Sequence, residues 1–382
     1  MPRKIVYIVG GIYSVSGMNQ VLTQKMNWLA RNTGYELHMV LTERPDLSWA
    51  LPIDPSIQWV NFGIEFDELD TMPLGKKLWH YKKKQKAYKR ALTDYLVKLH
   101  ADLVVSACRR EVNFLSDIPD GSHKIGEIHF DRTFYRQFSK PYLPKSLCEW
   151  ISHRWIASFV REVNRLDRFI VLTHEDFAHW PEVERKMVIP NPVKRLSSQF
   201  TSGDQKRVIA CGRYTWQKGY DLLLQSWAKV RESHPDWHLD IFGGGDHTMF
   251  DQLAKEMHID DVVTCHESVA DIYQEYCHSS IFVLSSRYEG FGLVLVEAMS
   301  CGLPVVSFAC PCGPRDIITD GEDGLIVRAE DTDALAQGIC HIIEHPDERR
   351  RMGASGIEKA KQYVEDCIMP RGEELFNEIL KK

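Results

Sequence analysis

Apolar residues recur along this chain in short, β-branched runs separated by longer amphipathic stretches. KIVYIVG (4–10), ELHMVLT (36–42), IQWVNF (57–62), DLVVSA (102–107), HKIGEIH (123–129) and RFIVLT (168–173) are nearly continuous in hydrophobicity. Such runs are the mark of strands buried on both faces, as in parallel sheets. Residues 18–33 and 76–99 between them repeat their apolar positions at helical spacing. The alternation predicts a doubly wound α/β domain.

Two prolines in VIPNPVKR (188–195) and the polar stretch after it interrupt the series and read as an interdomain linker. A second series follows: RVIACG (207–212), HLDIFGG (238–244), VVTCHE (262–267), IFVLSS (281–286), PVVSF (304–308) and GLIV (324–327). The expected architecture is α/β, with two Rossmann-like parallel-sheet domains facing a central cleft. Residues 1–190 form the first, residues 191–366 the second, and a helical tail over 367–382 crosses back to the first. A length of 382 residues with 44% hydrophobic and 26% charged content suits two ordinary domains.

Charge changes this picture by separating the halves. Of the net −6, residues 1–190 carry +5 and the remainder −11. The basic half contains GKKLWHYKKKQKAYKRAL (75–92), with eight Lys or Arg and no acid. On a helix, Leu78, Tyr81, Gln85, Tyr88 and Leu92 share one side and bases fill the rest. A segment of this kind can lie on an anionic membrane surface or form a solvated helix face. DRTFYRQFSKPYLPKSL and EWISHRWIASFVREVNR continue the aromatic and basic theme. No nucleic-acid module is recognisable, and the acidic second half would repel a phosphate backbone. The N-terminal apolar run is too short for a signal peptide, so the expected location is the cytoplasm or the cytoplasmic face of a membrane. Ten scattered cysteines lack zinc-ligand spacing and read as free thiols; no metal site is expected.

The densest chemistry lies in RYEGFGLVLVEAMSCGLPVV (287–306), where Glu289 and Glu297 flank a glycine loop and an apolar run. Glu289 falls at a predicted strand tip. Gly290 and Gly292 allow close backbone approach to a ligand, and a helix starting near Leu293 aims its positive dipole end into the same space. Glu297, one turn in, would repel a phosphate but accept hydrogen bonds from a ribose diol. ACGRYTWQKGYDLLLQSW (210–227) repeats the strand–glycine–helix pattern, with Gly212, Arg213 and Lys218 where two cations could meet a diphosphate.

G-R-x(3)-Q-K-G-x-D, E-G-F-G-L-x(3)-E, CGLPVVSF, GPRDIITDGEDGLIV and VIPNPV together resemble the retaining glycosyltransferases of family 4, which have the GT-B fold. The resemblance implies that Arg213 and Lys218 hold the donor diphosphate, Glu297 the ribose hydroxyls, and Glu289 the donor hexose. Gly290, Phe291, Gly292 and Leu293 would offer backbone contacts, and Gly17, in GGIYSVSGMNQVL (10–22), would open the N-terminal glycine-loop helix. Asn19 and Gln20 stand where relatives often carry charged residues. His129, at the end of its strand, would position a hydroxyl of the reacting sugar. The implied activity is transfer of a hexose or N-acetylhexosamine from a nucleotide sugar, commonly UDP-linked, to a glycan or lipid-linked glycan acceptor in polysaccharide assembly. The implied reaction needs no cofactor: Asp331-Thr332-Asp333 reads as a helix cap, leaving no D-x-D metal motif. A sugar-nucleotide epimerase and an inactive sugar-nucleotide-binding scaffold share this architecture. A dehydrogenase would need G-x-G-x-x-G after the first strand, which GGIYSVSG does not supply.

Overall fold

The structure is a computed structural model describing residues 2–13, 16–139 and 143–381. Residues 14–15 of the N-terminal glycine loop and 140–142 of the aromatic-basic segment lie outside the described residues. Through the first half run strands β1 (Lys4–Ile8), β2 (Glu36–Leu41), β3 (Gln58–Asn61), β4 (Leu103–Ser106), β5 (His123–Glu127), β6 (Arg168–Val171) and β7 (Lys186–Val188). The helices there are α1 (Gly17–Asn32), α2 (Leu74–Leu99), α3 (Lys145–Val163) and the short α4 (His174–His179). The second half holds β8 (Arg207–Cys211), β9 (His238–Phe242), β10 (Val263–His266), β11 (Ile281–Leu284), β12 (Val305–Phe308) and β13 (Gly324–Val327). Its helices are α5 (Tyr220–Ser233), α6 (Thr248–Glu256), α7 (Ile272–Cys277), α8 (Leu293–Ser300), α9 (Pro314–Ile317), α10 (Thr332–Glu344) and α11 (Pro346–Ala360), followed by α12 (Glu365–Leu380).

The chain divides into two compact units. One contains Met1–Leu172, Asp176–Ile189 and Ile368–Lys382, the other Thr173–Glu175 and Pro190–Cys367. The first unit has a wholly parallel sheet in the order β3-β2-β1-β4-β5-β6-β7. Because side chains alternate along a strand, its two faces feed two cores. Ile5 and Tyr7 pack with α1 residues and with Ile368, Met369, Leu375, Phe376 and Ile379 of α12. Val6 and Ile8 pack on the other face with Tyr88, Leu92 and Leu96 of α2 and Phe159 and Val163 of α3. β7 is an extra edge strand; KMV is too short and too polar to stand out as one, and its ladder with β6 is what reveals it.

α2 corrects one expectation. Tyr88 and Leu92 are buried, but Leu78, placed on the same apolar side, is 56% exposed, and its neighbour Trp79 is 61% exposed. The helix outruns the core, so its first turns present apolar and basic groups together to solvent. Lys84 is not among the free bases: its ammonium donates to the Ile64 and Glu65 carbonyls and pairs with Glu68.

The second unit has a parallel sheet in the order β10-β9-β8-β11-β12-β13. Its core joins Val208, Ile241, Ile281 and Val306 to Leu223 and Trp227 of α5 and to Leu335 and Ile339 of α10. β8 is the first strand of this sheet, and the following strands leave it in both directions. The loops after β8 and β11 therefore emerge side by side at the carboxyl edge, where the strand order reverses. Open parallel sheets bind ligands at such a point.

Candidate functional site

The β8–α5 and β11–α8 loops are laced together. The Arg287 amide donates to the Gln217 carbonyl at 2.8 Å, Gln217 Nε2 to the Tyr288 carbonyl at 2.9 Å, and Ser285 Oγ to the Lys218 carbonyl at 2.9 Å. Gly219 is required here. It sits at φ +62°, and a methyl group on it would lie 2.1 Å from the Ser285 carbonyl oxygen. The Arg287 guanidinium pairs with both Asp221 oxygens at 2.9 and 2.6 Å and lies over the Trp216 ring.

This frame joins the two loops through charge. Lys218 Nζ donates to Glu289 Oε1 at 2.7 Å, and Ser286 Oγ donates to the same oxygen at 2.6 Å. Both Lys218 and Glu289 side chains are largely buried, at 14% and 7% exposure. Arg213, on the same loop as Lys218, is exposed and forms no ion pair among the described residues. Gly212 follows directly on β8. Its amide is committed to the Phe242 carbonyl at 2.9 Å and has no bond to spare for a phosphate. It contributes room instead, since a methyl there would meet Lys218 Cε at 2.7 Å.

After Glu289 the chain turns sharply into α8, with Gly292 at φ +88° as its cap. The amides of Gly290, Phe291, Gly292 and Leu293 have no backbone acceptor among the described residues. Four open donors at a helix start make an anion site. The Phe291 ring is buried against Tyr363, so only its backbone is offered. Glu297 is half-buried on α8; its carbonyl accepts from Ser300 Oγ at 2.7 Å, but its carboxylate has no hydrogen-bond partner among the described residues. Burial pushes its carboxyl up to about 7, against the opposing pull of Lys218. An unpartnered carboxylate in such surroundings is costly unless a ligand supplies donors.

In the first unit, Gly17 is the first residue of α1, whose cap is Ser16, accepting from the Asn19 amide at 3.2 Å. Asn19 is buried and Gln20 exposed. His129 lies two residues beyond the end of β5, not within it, and is buried. Its Nε2 is 3.0 Å from Glu127 Oε1, and Lys25 of α1 pairs with the same oxygen. Burial alone would raise the Glu127 carboxyl, but Lys25 and then His129 outweigh it and hold it at about 2. Beside His129, Asp131 accepts from the Thr133 amide, while Arg132 pairs with Glu182 and lies over Trp180. Asp331 caps α10, accepting from the Ala334 amide at 3.0 Å.

Residues 194–359 match the family model described as glycosyl transferases group 1. The chain carries a group 1 glycosyltransferase domain. That domain contains every second-unit site residue from Gly212 to Asp331. An uncharacterized glycosyltransferase of Haemophilus influenzae is 30% identical over 190 residues, 48% of this chain and 54% of that protein. The amylovoran biosynthesis glycosyltransferase AmsD of Erwinia amylovora is 28% identical over 188 residues, 49% and 52% of the two chains. The chain thus spans about half the length of these curated relatives. Among solved structures, the sucrose-phosphate synthase of Thermosynechococcus elongatus superposes with a TM-score of 0.82 at 20% identity, covering 99% of each chain. The pneumococcal O-GlcNAc transferase GtfA, solved with UDP and GlcNAc, gives 0.74 at 16% identity over the whole of both chains. Together these show the GT-B fold, two Rossmann-like parallel-sheet units.

Sequence reasoning singles out Arg213, Lys218, Glu289 and Glu297, but not the residues that brace them. Ser286 and the Arg287–Asp221 pair have no role in it, although all three lie within or beside the two motifs. Their signal is position: Ser286 and Arg287 follow a strand end, and Asp221 opens the helix of the neighbouring loop.

Proposed function

We propose that the protein is a retaining glycosyltransferase that moves a hexose or N-acetylhexosamine from a UDP-sugar to a hydroxyl of a glycan acceptor in polysaccharide or glycoconjugate assembly. The observation that carries this reading is the corner formed by the β8–α5 and β11–α8 loops in the group 1 domain. There Arg213, Lys218 and the open amides from Gly290 to Leu293 offer positive charge, with Glu289 and the unpartnered Glu297 beside them. The uracil base is supported by GtfA and by the Anabaena HepE structure, both solved with UDP.

Glycosyl transfer passes through an oxocarbenium-like state as the diphosphate leaves with growing negative charge. Electrostatic stabilisation of that charge is the main task of this corner. Lys218 can serve it while paired with Glu289, because an ammonium has three donors and Glu289 takes one. The α8 N-terminus receives a β-phosphate, and Glu297 accepts from the ribose diol. The charge needed at the leaving group is supplied by these residues, so the proposed reaction requires no metal. No enzyme nucleophile stands out, and the leaving phosphate deprotonates the acceptor on the face it departs from. For His129, in the first unit, the proposed role is the one the family resemblance implies, a hydrogen-bonding group for the reacting sugar; both of its ring nitrogens are buried without a hydrogen-bond partner among the described residues.

The test is ligand binding by UDP-glucose, UDP-N-acetylglucosamine, GDP-mannose, ADP-glucose and NAD in EDTA-containing buffer, read as melting-temperature shift and affinity. A UDP-sugar is expected to bind alone among them; binding of NAD only, or of none, overturns the reading. The pH dependence adds a specific check. A carboxylate accepts from both hydroxyls of a diol better than a protonated carboxyl does, and with a pKa of about 7 the fraction of ionised Glu297 rises about tenfold from pH 6 to pH 8. The diester phosphates of a UDP-sugar do not titrate in that interval. Affinity should therefore increase about tenfold from pH 6 to 8 in the wild type and stay flat in Glu297→Gln.

No helix among the described residues is long and apolar enough to cross a membrane. We propose a lipid-linked acceptor reached from an anionic membrane surface. The support is the exposed group Leu78, Trp79 and Lys82, Lys83 and Lys86 on α2, with Lys83 over the Trp79 ring, and exposed Trp150 and Trp155 on α3. Replacing Lys82, Lys83 and Lys86 by Ser, with the anchored Lys84 left in place, should reduce co-sedimentation with anionic liposomes several-fold. Each base near such a surface contributes about 1 kcal/mol. Unchanged sedimentation would remove the membrane from the proposal.

A further inference from the structure

At the outer edge of the group 1 domain, three side chains from separate parts of the sequence converge. His247 precedes α6, Asp251 lies one turn into it, and Cys265 is on β10, the edge strand of the sheet. One ligand-type atom from each falls within 4.8 Å of the others, and all three residues are half-buried. His247 Nδ1 lies 2.7 Å from Asp251 Oδ2. The cluster is separate from the corner holding Lys218, Glu289 and Glu297.

We infer that His247, Asp251 and Cys265 form a binding site for a zinc-class divalent ion. The donor set argues for this metal class: an imidazole, a carboxylate and a thiolate are the groups zinc takes, and three protein ligands leave one position for water. Tetrahedral zinc with bonds of roughly 2.0–2.3 Å sets ligand atoms about 3.3–3.7 Å apart, so the observed spacing needs only small side-chain rotations. The frame around the site is held in place. The His247 ring packs on Tyr214 at 5.3 Å, and the Tyr214 hydroxyl lies 2.7 and 2.8 Å from the carbonyl oxygens of Ile241 and His266, on β9 and β10, sharing its one hydrogen between them.

Metal binding displaces the thiol proton of Cys265, because the ligand to the ion is the thiolate. Each ion bound near neutral pH thus releases one proton from sulfur to the buffer, and the bound sulfur is a thiolate. The ion would fasten the start of α6 to the edge strand. The adjoining loop is tied to the Arg213 turn, since the Tyr214 amide donates to the Gly244 carbonyl at 3.0 Å. The proposed role is a structural brace beside the donor site, with no part in the chemical step.

The experiment uses the full chain stripped with EDTA and then dialysed free of it. Titration with Co²⁺ should give one equivalent of binding with a sulfur-to-cobalt charge-transfer absorption in the near ultraviolet. Zn²⁺ should displace the cobalt and raise the melting temperature. Cys265→Ser should abolish the absorption and weaken Zn²⁺ binding at least tenfold, and His247→Gln should weaken it comparably while the far-ultraviolet circular dichroism stays that of the wild type. A second surface group, His341, His345 and Glu348, can also gather ligands, so His341→Ala/His345→Ala is the control and should leave the absorption intact. Absence of the absorption overturns the inference. So does Zn²⁺ binding that survives Cys265→Ser and disappears in the His341/His345 variant.

Discussion

Arg213→Ala is expected to lower sugar transfer about 100- to 1,000-fold and to leave the melting temperature within about a degree of the wild type. The two halves of this result come from one observation: Arg213 is exposed and has no charged partner among the described residues. A side chain that makes no protein contact of consequence adds little to stability, and exposed substitutions usually stay within about 0.5 kcal/mol. Under the proposed function its partner is the donor diphosphate. Loss of one positioned donor to charge that develops in a transition state typically removes two to three orders of magnitude in rate. Arg213→Lys should restore only part of the activity, because an ammonium cannot reproduce the guanidinium fork at a diphosphate. Steady-state kinetics with a UDP-sugar and a thermal melt decide the matter. Undiminished transfer by Arg213→Ala would remove it from the donor site.

Lys218→Met should lose transfer to a similar extent and also lose stability. Lys218 is the cationic partner of the buried Glu289, with Ser286 the other group on the same oxygen. Removing one member of a buried ion pair leaves the other charge uncompensated, which costs about 3 kcal/mol. For a unit of this size that is a fall of about 6–12 °C in melting temperature. The double change Lys218→Met/Glu289→Gln removes the stranded charge and should recover most of the lost stability but none of the activity. Failure of the double variant to recover stability would mean that Lys218 supports the loops through its alkyl chain, which passes over Gly212, more than through its charge. The two expected results together would separate a cation kept for the ligand from one that also holds the fold.

Much of the fold is legible in the amino-acid sequence. Strand positions follow from runs such as KIVYIVG and IFVLSS because a strand buried on both faces must be apolar throughout. Most predicted ends overshoot by one or two residues, as at Cys211 and Glu127, because the chain can stay buried past the last ladder bond, as Ile128 and His129 do. β7 is not legible for the opposite reason: an edge strand needs little hydrophobicity of its own. The motifs point to Lys218 and Glu289 as ligand groups 71 positions apart, but not to the bond between them. Their ion pair depends on the pairing of β8 with β11, a long-range contact that local patterning does not encode. The apolar side expected for α2 holds at Tyr88 and Leu92 and fails at Leu78, because periodicity tells which residues align and not how far the core extends beneath them.

By itself, then, the sequence determined the local chemistry of this protein: which segments become strands and helices, where glycines open the backbone, and which charged residues sit at strand ends. These are consequences of side-chain size, periodicity and backbone freedom within a few residues. The tertiary structure decided what those residues do to one another. It engaged the Gly212 amide with the Phe242 carbonyl, buried Glu289 against Lys218, left the Glu297 carboxylate without a partner among the described residues, and brought His247, Asp251 and Cys265 together across two elements. Those outcomes depend on strand order and on burial, and burial sets the strength of every charge it encloses.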